Sequence, residues 1–308
     1  MTPRPLPAIA LPADDPDAAA VPARSDPNGP VVQLFVNPHA GSSRRRRIAA
    51  LRTAFEAAGA RVILTPSLRG RLEVADGVDH VCAVGGDGTV RYVAAAVGRD
   101  RRALPMSVYP LGTVNLLARE CGYSPDPAVF VERALATPAG RRHYTGLIGE
   151  TLILNCASIG PDSMTVDRLS PRLKRLIGRA AYGVAFCRML GRWPRHQLRV
   201  VANGEEIACE AVYVAKGRYF AGDWSFAAAA AVDAPLLHVV ALRHATRTAM
   251  LRFAWSLLRG RDPDYAIRFT CTELTIRGDA PCPVQADGDI VAHLPVRITL
   301  AKATLAFA

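Results

Sequence analysis

Val31 to Val36 (VVQLFV) is an unbroken, β-branched apolar run, the pattern of a strand covered on both faces. Asn37-Pro38 stops it, and Gly41-Ser42-Ser43 offers a cap for a helix that ends near Gly59. ARVILTP predicts a second strand. HVCAVGGDGTVRYVAAAV, from His80 to Val97, reads as strand, glycine turn and helix, and PMSVYPLGTVNLLARECG repeats that order through a Gly-Thr turn. Strands alternating with helices over roughly 120 residues imply a parallel, Rossmann-like sheet.

From about Tyr144 the pattern changes. HYTGLIGETLILNCASIG, HQLRVVANGEEIACEAVYVAKG, APLLHVVAL, YAIRFTCTELTIRG and VRITLAKATLAF are short runs rich in Val, Ile, Leu and Thr. Turn residues such as Asn203-Gly204 and Gly278-Asp279 separate them, which predicts antiparallel hairpins and an all-β second domain. Two helical segments interrupt the strands, Pro171 to Trp193 and Thr246 to Gly260. The domain boundaries expected are a Pro/Ala-rich tail over 1–29, an α/β domain over 30–143 and a β domain over 144–308, with the last residues able to return to the first domain.

Composition narrows the class. The 308 residues are half hydrophobic, enough for two cores. Met1 to Pro30 alternates Pro, Ala and Asp without an apolar core, so it predicts a disordered tail rather than a secretory signal. FAAAAAVDAPLLHVVAL is interrupted by Asp233 and Pro235 and is too broken to span a bilayer. The seven cysteines are scattered without C-x-x-C spacing, which argues against a disulfide framework and a zinc site and for a reducing, cytoplasmic setting. A formal charge of +11 favours anionic partners such as nucleotide phosphates or acidic lipid headgroups, although an arginine-rich composition accounts for part of it. Aromatics are sparse and no RNA or DNA motif is present, so nucleic acid is not an expected partner.

The glycine turns carry the chemistry. At the carboxyl ends of parallel strands, glycines let the backbone approach a ligand, and the following helix offers its N-terminal amides to an anion. Gly85-Gly86-Asp87-Gly88-Thr89 fits a phosphate cradle with a hydroxyl donor. Asp87 is the anomaly, because a carboxylate repels phosphate. A divalent cation or a sugar hydroxyl beside it resolves the conflict. NPHAG and PLGTVN follow two other strands, so three polar turns are expected at one sheet edge.

Together these residues resemble the diacylglycerol kinase catalytic-domain family, which includes sphingosine and ceramide kinases and bacterial soluble lipid kinases. The resemblance runs from Val31 to Phe307 through NPHAGSS, GGDGTVRYV, YPLGTVNLLAR, NCASIGPDSM, LIGRAAYGVAF, APLLHVVAL and PVQADGD. It implies an α/β nucleotide domain, a C-terminal β-sandwich, a cleft between them, and transfer of the γ-phosphoryl of ATP to a lipid alcohol with Mg²⁺. Carried over by residue, Asn37, Gly85, Gly86, Asp87, Gly88 and Thr89 would hold the nucleotide, and Gly112, Thr113 and Asn115 would line the same pocket. Asp287 would be the general base and Asp289 its acidic partner, with Mg²⁺ on Asp87, Asp289 and the ATP phosphates. Asp287-Gly288 also reads simply as a hairpin turn.

The sequence departs from the family at Tyr92 and Leu116, where acids are usual, at Asp233-Ala234-Pro235, where paired acids and a glycine are usual, and at Asp289, where glutamate is usual. Fewer hard oxygen ligands weaken any cation site on the second domain. The alternatives are therefore a nucleotide- or lipid-binding regulatory protein of the same fold, and a kinase of a soluble substrate such as NAD. A kinase of membrane lipid must meet an anionic membrane surface transiently, peripheral to the inner face of the membrane. Leu173, Leu176, Ile177, Ala180, Val184 and Cys187 share a helical face ringed by arginines, and Met250, Phe253, Trp255 and Leu257 lie among Arg247, Arg252, Arg259 and Arg261. Docking of either helix on the sandwich explains the same pattern.

Overall fold

The computed structural model describes residues 29–37, 42–67, 72–100, 102–136, 140–168, 193, 195–261 and 263–308. The turn residues 38–41 and the predicted basic helix over residues 171–192 lie outside them. The described chain divides into two units, one of residues up to His143 with Lys302–Ala308, the other Tyr144–Ala301.

In the first unit, β1 (Val31–Val36) pairs in parallel with β2 (Arg61–Pro66) and with β3 (His80–Gly85), and β3 pairs with β4 (Pro105–Pro110). The end of the last strand, β16 (Val296–Phe307), joins β4 in parallel through Ala306 and Phe307. Helices α1 (Ser42–Ala57), α2 (Asp87–Arg99), α3 (Leu116–Glu120) and α4 (Pro127–Ala136) interleave with the strands. The apolar runs of β1, β3 and β4 are buried along nearly their whole length, as a sheet covered on both faces requires, while β2 at the edge stays largely exposed. Phe130 of α4 anchors the core, with ring centroids 6.2 Å from Phe55, 5.1 Å from Tyr109 and 5.3 Å from Tyr123.

The second unit is antiparallel. One sheet orders the start of β16, β13 (Glu273–Gly278), β8 (Leu198–Ala202) and β9 (Glu205–Cys209). The other runs β12 (Ile267–Cys271), β11 (Leu237–Leu242), β10 (Ala211–Ala215), β7 (Cys156–Ile159), β14 (Pro283–Ala286) and β15 (Asp289–His293). Alternate side chains of both sheets meet in one cluster: Val200, Ile276 and Ile298 from the first, Val212, Val239 and Val284 from the second. That interdigitation is what a β-sandwich is. The opposite face of β10 and β11 is covered as well, because Tyr213 and Val240 pack with Phe226 and with Met250, Phe253 and Leu257 of α6 (Arg247–Leu258). A strand clothed on both sides explains why β10 is buried at all five positions. β5 (Arg141–Ile148) and β6 (Thr151–Ile153) form an antiparallel hairpin before β7, and a short helix, α5 (Pro161–Asp167), follows β7.

Candidate functional site

In the first unit the glycines are set by one turn lying on another. A Cβ at Gly112 would fall 2.3 Å from the Gly86 Cα, and one at Gly85 would fall 2.7 Å from Thr89 Oγ1. Neither distance admits a side chain. Asp87 fastens the same two turns: its carboxylate accepts the Leu116 N–H at 2.7 Å and the Asn115 N–H at 3.1 Å, and so caps α3. Asn115, at a φ of 56°, closes the loop, its Oδ1 accepting from Gly112 N–H at 2.7 Å and its Nδ2 donating to the Gly112 carbonyl at 3.0 Å.

Backbone amides thus engage the acid of this anion-seeking turn, beside which the sequence leads one to expect a cation or a sugar hydroxyl. Meanwhile α2 starts at Asp87 with Gly86 as an N-cap that supplies no side chain, and its first internal bond runs from Val90 N–H to the Gly86 carbonyl. The amides of Gly88 and Thr89 precede that bond, so the helix itself does not use them. They suit a phosphate. Gly86, Asp87, Gly88, Thr89, Gly112 and Asn115 are partly exposed, and Thr113 and Asn37 are exposed.

In the second unit, Asp287 and Gly288 take φ of 47° and 86° between β14 and β15, with Ala286 paired to Asp289. This is the two-residue hairpin turn that Asp-Gly favours. The turn is nonetheless unusual, because Asp287 is only 6% exposed. Its Oδ2 accepts the Leu154 N–H at 2.8 Å, and its Oδ1 accepts those of Asn155 at 2.8 Å and Cys156 at 3.1 Å. Its own N–H donates to the Cys156 carbonyl at 3.0 Å. Asp289 begins β15, half-buried.

Behind the turn lies a polar relay. Gln285 Oε1 accepts the Gly288 N–H at 2.9 Å, and its Nε2 donates to Ser158 Oγ at 3.0 Å and Asp162 Oδ2 at 3.4 Å. Ser158 Oγ donates to Asp162 Oδ2 at 2.5 Å. Burial pushes the Asp162 carboxyl above the usual carboxylate range, and the bonds from Ser158 and Gln285 oppose that rise without cancelling it.

Two neighbours complete the setting. The Asn155 carbonyl accepts the N–H groups of Lys216 at 2.7 Å and Gly217 at 2.9 Å, while its side-chain Oδ1 is buried without a hydrogen-bond donor. Lys216 is fully buried, and its Nζ donates to the carbonyls of Ala231 at 2.7 Å and Ala234 at 2.8 Å. Its ammonium thus sits on the very loop, Asp233-Ala234-Pro235, that lacks one of the expected acids.

Gln285, Ser158, Asp162, Asn155 and Lys216 carry this arrangement, and the motif reading did not single them out. Three of them offered a signal: Ser158, Gln285 and Lys216 interrupt or end otherwise apolar strands, and a polar group on such a strand must find a partner inside. Among the described residues no three His, Cys, Asp or Glu side chains gather as a metal site. Each Asp87 oxygen accepts one amide, so the carboxylate is engaged in holding the two turns together.

The family pattern described as "Diacylglycerol kinase catalytic domain" matches residues 31–141, and "YegS C-terminal NAD kinase beta sandwich-like domain" matches residues 155–308. The chain belongs to the YegS-like lipid kinase family. A relative from Pseudomonas putida, "Probable lipid kinase YegS-like", is 35% identical over 132 residues, 43% of this chain and 42% of that protein. A second from Pseudomonas aeruginosa, of the same description, is 36% identical over 133 residues, 43% of this chain and 41% of that protein. The chain therefore spans about two fifths of the length of these curated relatives. In fold it is similar to a solved structure from Bacillus anthracis titled as a "putative diacylglycerol kinase", with a TM-score of 0.72 and 18% identity over 92% of this chain and 99% of that one.

Two of the family departures have visible structural counterparts. Leu116 is buried, with 6% exposure, where an acid would be desolvated. Tyr92 is half-buried, its ring 5.9 Å from the Arg91 guanidinium.

Proposed function

We propose that this chain transfers the γ-phosphoryl group of ATP to the hydroxyl of a lipid alcohol, diacylglycerol or a related acceptor. The observation that carries the reading is the triple-amide cradle around Asp287. A carboxylate has about four acceptor positions. Three amides, from Leu154, Asn155 and Cys156, converge on this one, which fixes the orientation of the group at the tip of the hairpin. Such orientation suits phosphoryl transfer, whose transition state asks more of positioning than of early proton removal.

In this reading Gly85, Gly86, Gly88 and Thr89 seat the phosphates on the α2 amides. Gly112, Thr113, Asn115 and Asn37 line the nucleotide. Asp287 receives the hydroxyl proton and Asp289 assists it. Asp87 holds the two glycine turns together, and magnesium, which neutralises phosphate charge, enters with the nucleotide.

The test is purified protein with ATP, Mg²⁺, a panel of lipid alcohols and NAD, read by mass spectrometry. A phosphorylated lipid is expected, with Asp287→Asn at least about a hundredfold slower, the lower range for a lost general base. Phosphorylated NAD with no lipid product, or a folded Asp287→Asn protein as active as the wild type, overturns the proposal.

A further inference from the structure

The sequence placed Met250, Phe253, Trp255 and Leu257 together as the apolar side of the helix that is α6. The structure separates them. Met250, Phe253 and Leu257 are buried against the sheet, whereas Leu251, Trp255 and Leu258 are 53%, 55% and 54% exposed. At about 100° per residue these three fall within one narrow stripe on the side away from the core. Apolar residues scattered singly on a surface mean little, but three large ones in a row form a patch that calls for a partner.

The flanks of the stripe are cationic. By the same geometry Arg247 borders it on one side and Arg252 and Arg259 on the other, all exposed, with Arg261 just beyond the helix. The Arg259 guanidinium lies 4.5 Å from the Trp255 ring centroid. Arg252 is paired with Asp264 at 3.1 Å. An apolar ridge with an indole and an arginine rim is complementary to an anionic bilayer: the ridge enters the acyl boundary while the guanidinium groups meet phosphates.

We propose that the Leu251–Trp255–Leu258 ridge of α6 docks the protein on an anionic membrane surface. This rests on the lipid-kinase reading for its purpose and on the helix alone for its geometry.

The test is co-sedimentation of the full chain with vesicles of phosphatidylcholine, alone or mixed with phosphatidylglycerol. Binding is expected to the mixed vesicles, to weaken with added salt, and to fall at least about tenfold in the triple variant Leu251→Ser, Trp255→Ser, Leu258→Ser. Those side chains are exposed, so the variant should melt as the wild type does. Arg247→Glu with Arg259→Glu should abolish the preference for phosphatidylglycerol. Wild-type protein that stays in the supernatant, or that sediments equally with and without the ridge, overturns the proposal. So does a concentration-dependent dimer that only the triple variant loses and that binds no vesicle. Asp287→Asn should bind as the wild type does. Binding without any phosphorylated product sinks only the kinase reading, and turnover of detergent-dispersed lipid without vesicle binding sinks only this one.

Discussion

The second unit contains two hairpin turns of the same backbone type. Asn203 and Gly204, at φ of 53° and 79°, join β8 to β9; Asp287 and Gly288, at 47° and 86°, join β14 to β15. Asn203 is exposed and its Nδ2 reaches one carbonyl, that of Thr270, at 2.9 Å. Asp287 is buried and receives three amides from a segment more than 130 residues earlier in the chain. Dihedral angles cannot tell the two apart. What distinguishes them is the cost of the environment: a buried carboxylate is tolerated only where donors converge on it.

The largest expected contrast is an exchange of side chains. Asp287→Asn keeps a residue that accepts positive φ but turns an NH₂ group toward backbone donors. It should lose about 2 to 3 kcal/mol of stability together with its turnover, whereas Asn203→Asp should cost less than about 1 kcal/mol. Urea melts of the two variants measure the difference, and equal losses would erase the distinction drawn above.

Next is the support behind the buried turn, which the exposed one lacks. Gln285→Leu removes the acceptor of the part-buried Gly288 N–H and the donor to Ser158 and Asp162, and a loss of about 2 kcal/mol is expected, with turnover reduced as the Asp287 turn loosens. Smaller again are the glycines. Gly288→Ala and Gly204→Ala should each cost about 1 kcal/mol for alanine at positive φ, since a Cβ at Gly204 meets nothing within 4 Å. Only the former should slow phosphoryl transfer in the lipid assay.

The smallest effect is one of pH. Burial raises the Asp162 carboxyl above its ordinary 3.8, so the folded chain holds that proton more tightly than the unfolded one. The stabilisation this gives is complete below the unfolded value and is lost as pH rises through the folded value. Asp162→Asn, which cannot ionise, should therefore gain stability over the wild type near neutral pH, and the gain should vanish in acid. Melts across that range check the sign.

Much of this was legible in the chain. The unbroken runs of β1, β3 and β4 and the alternation of β8 and β13 are local patterns imposed by burial on two faces or one, so they survive in a linear reading. The glycines at 85, 86 and 112 were legible as turns, but the reason for Gly86 and Gly112 was not, because it is contact between segments distant in sequence. Asp287 stood out by its motif, while the amides that hold it belong to Leu154, Asn155 and Cys156, whose side chains say nothing about their N–H groups. On α6 the periodicity misassigned Trp255, since a helix with apolar residues on two sides has no unique inner face until a sheet takes one of them.

Lys216 bears on how the loop at Ala231–Ala234 is kept closed. Its two carbonyls are answered by a charge that is covalently part of β10's continuation, so this fastening is inherited with the sequence and is not drawn from the solution.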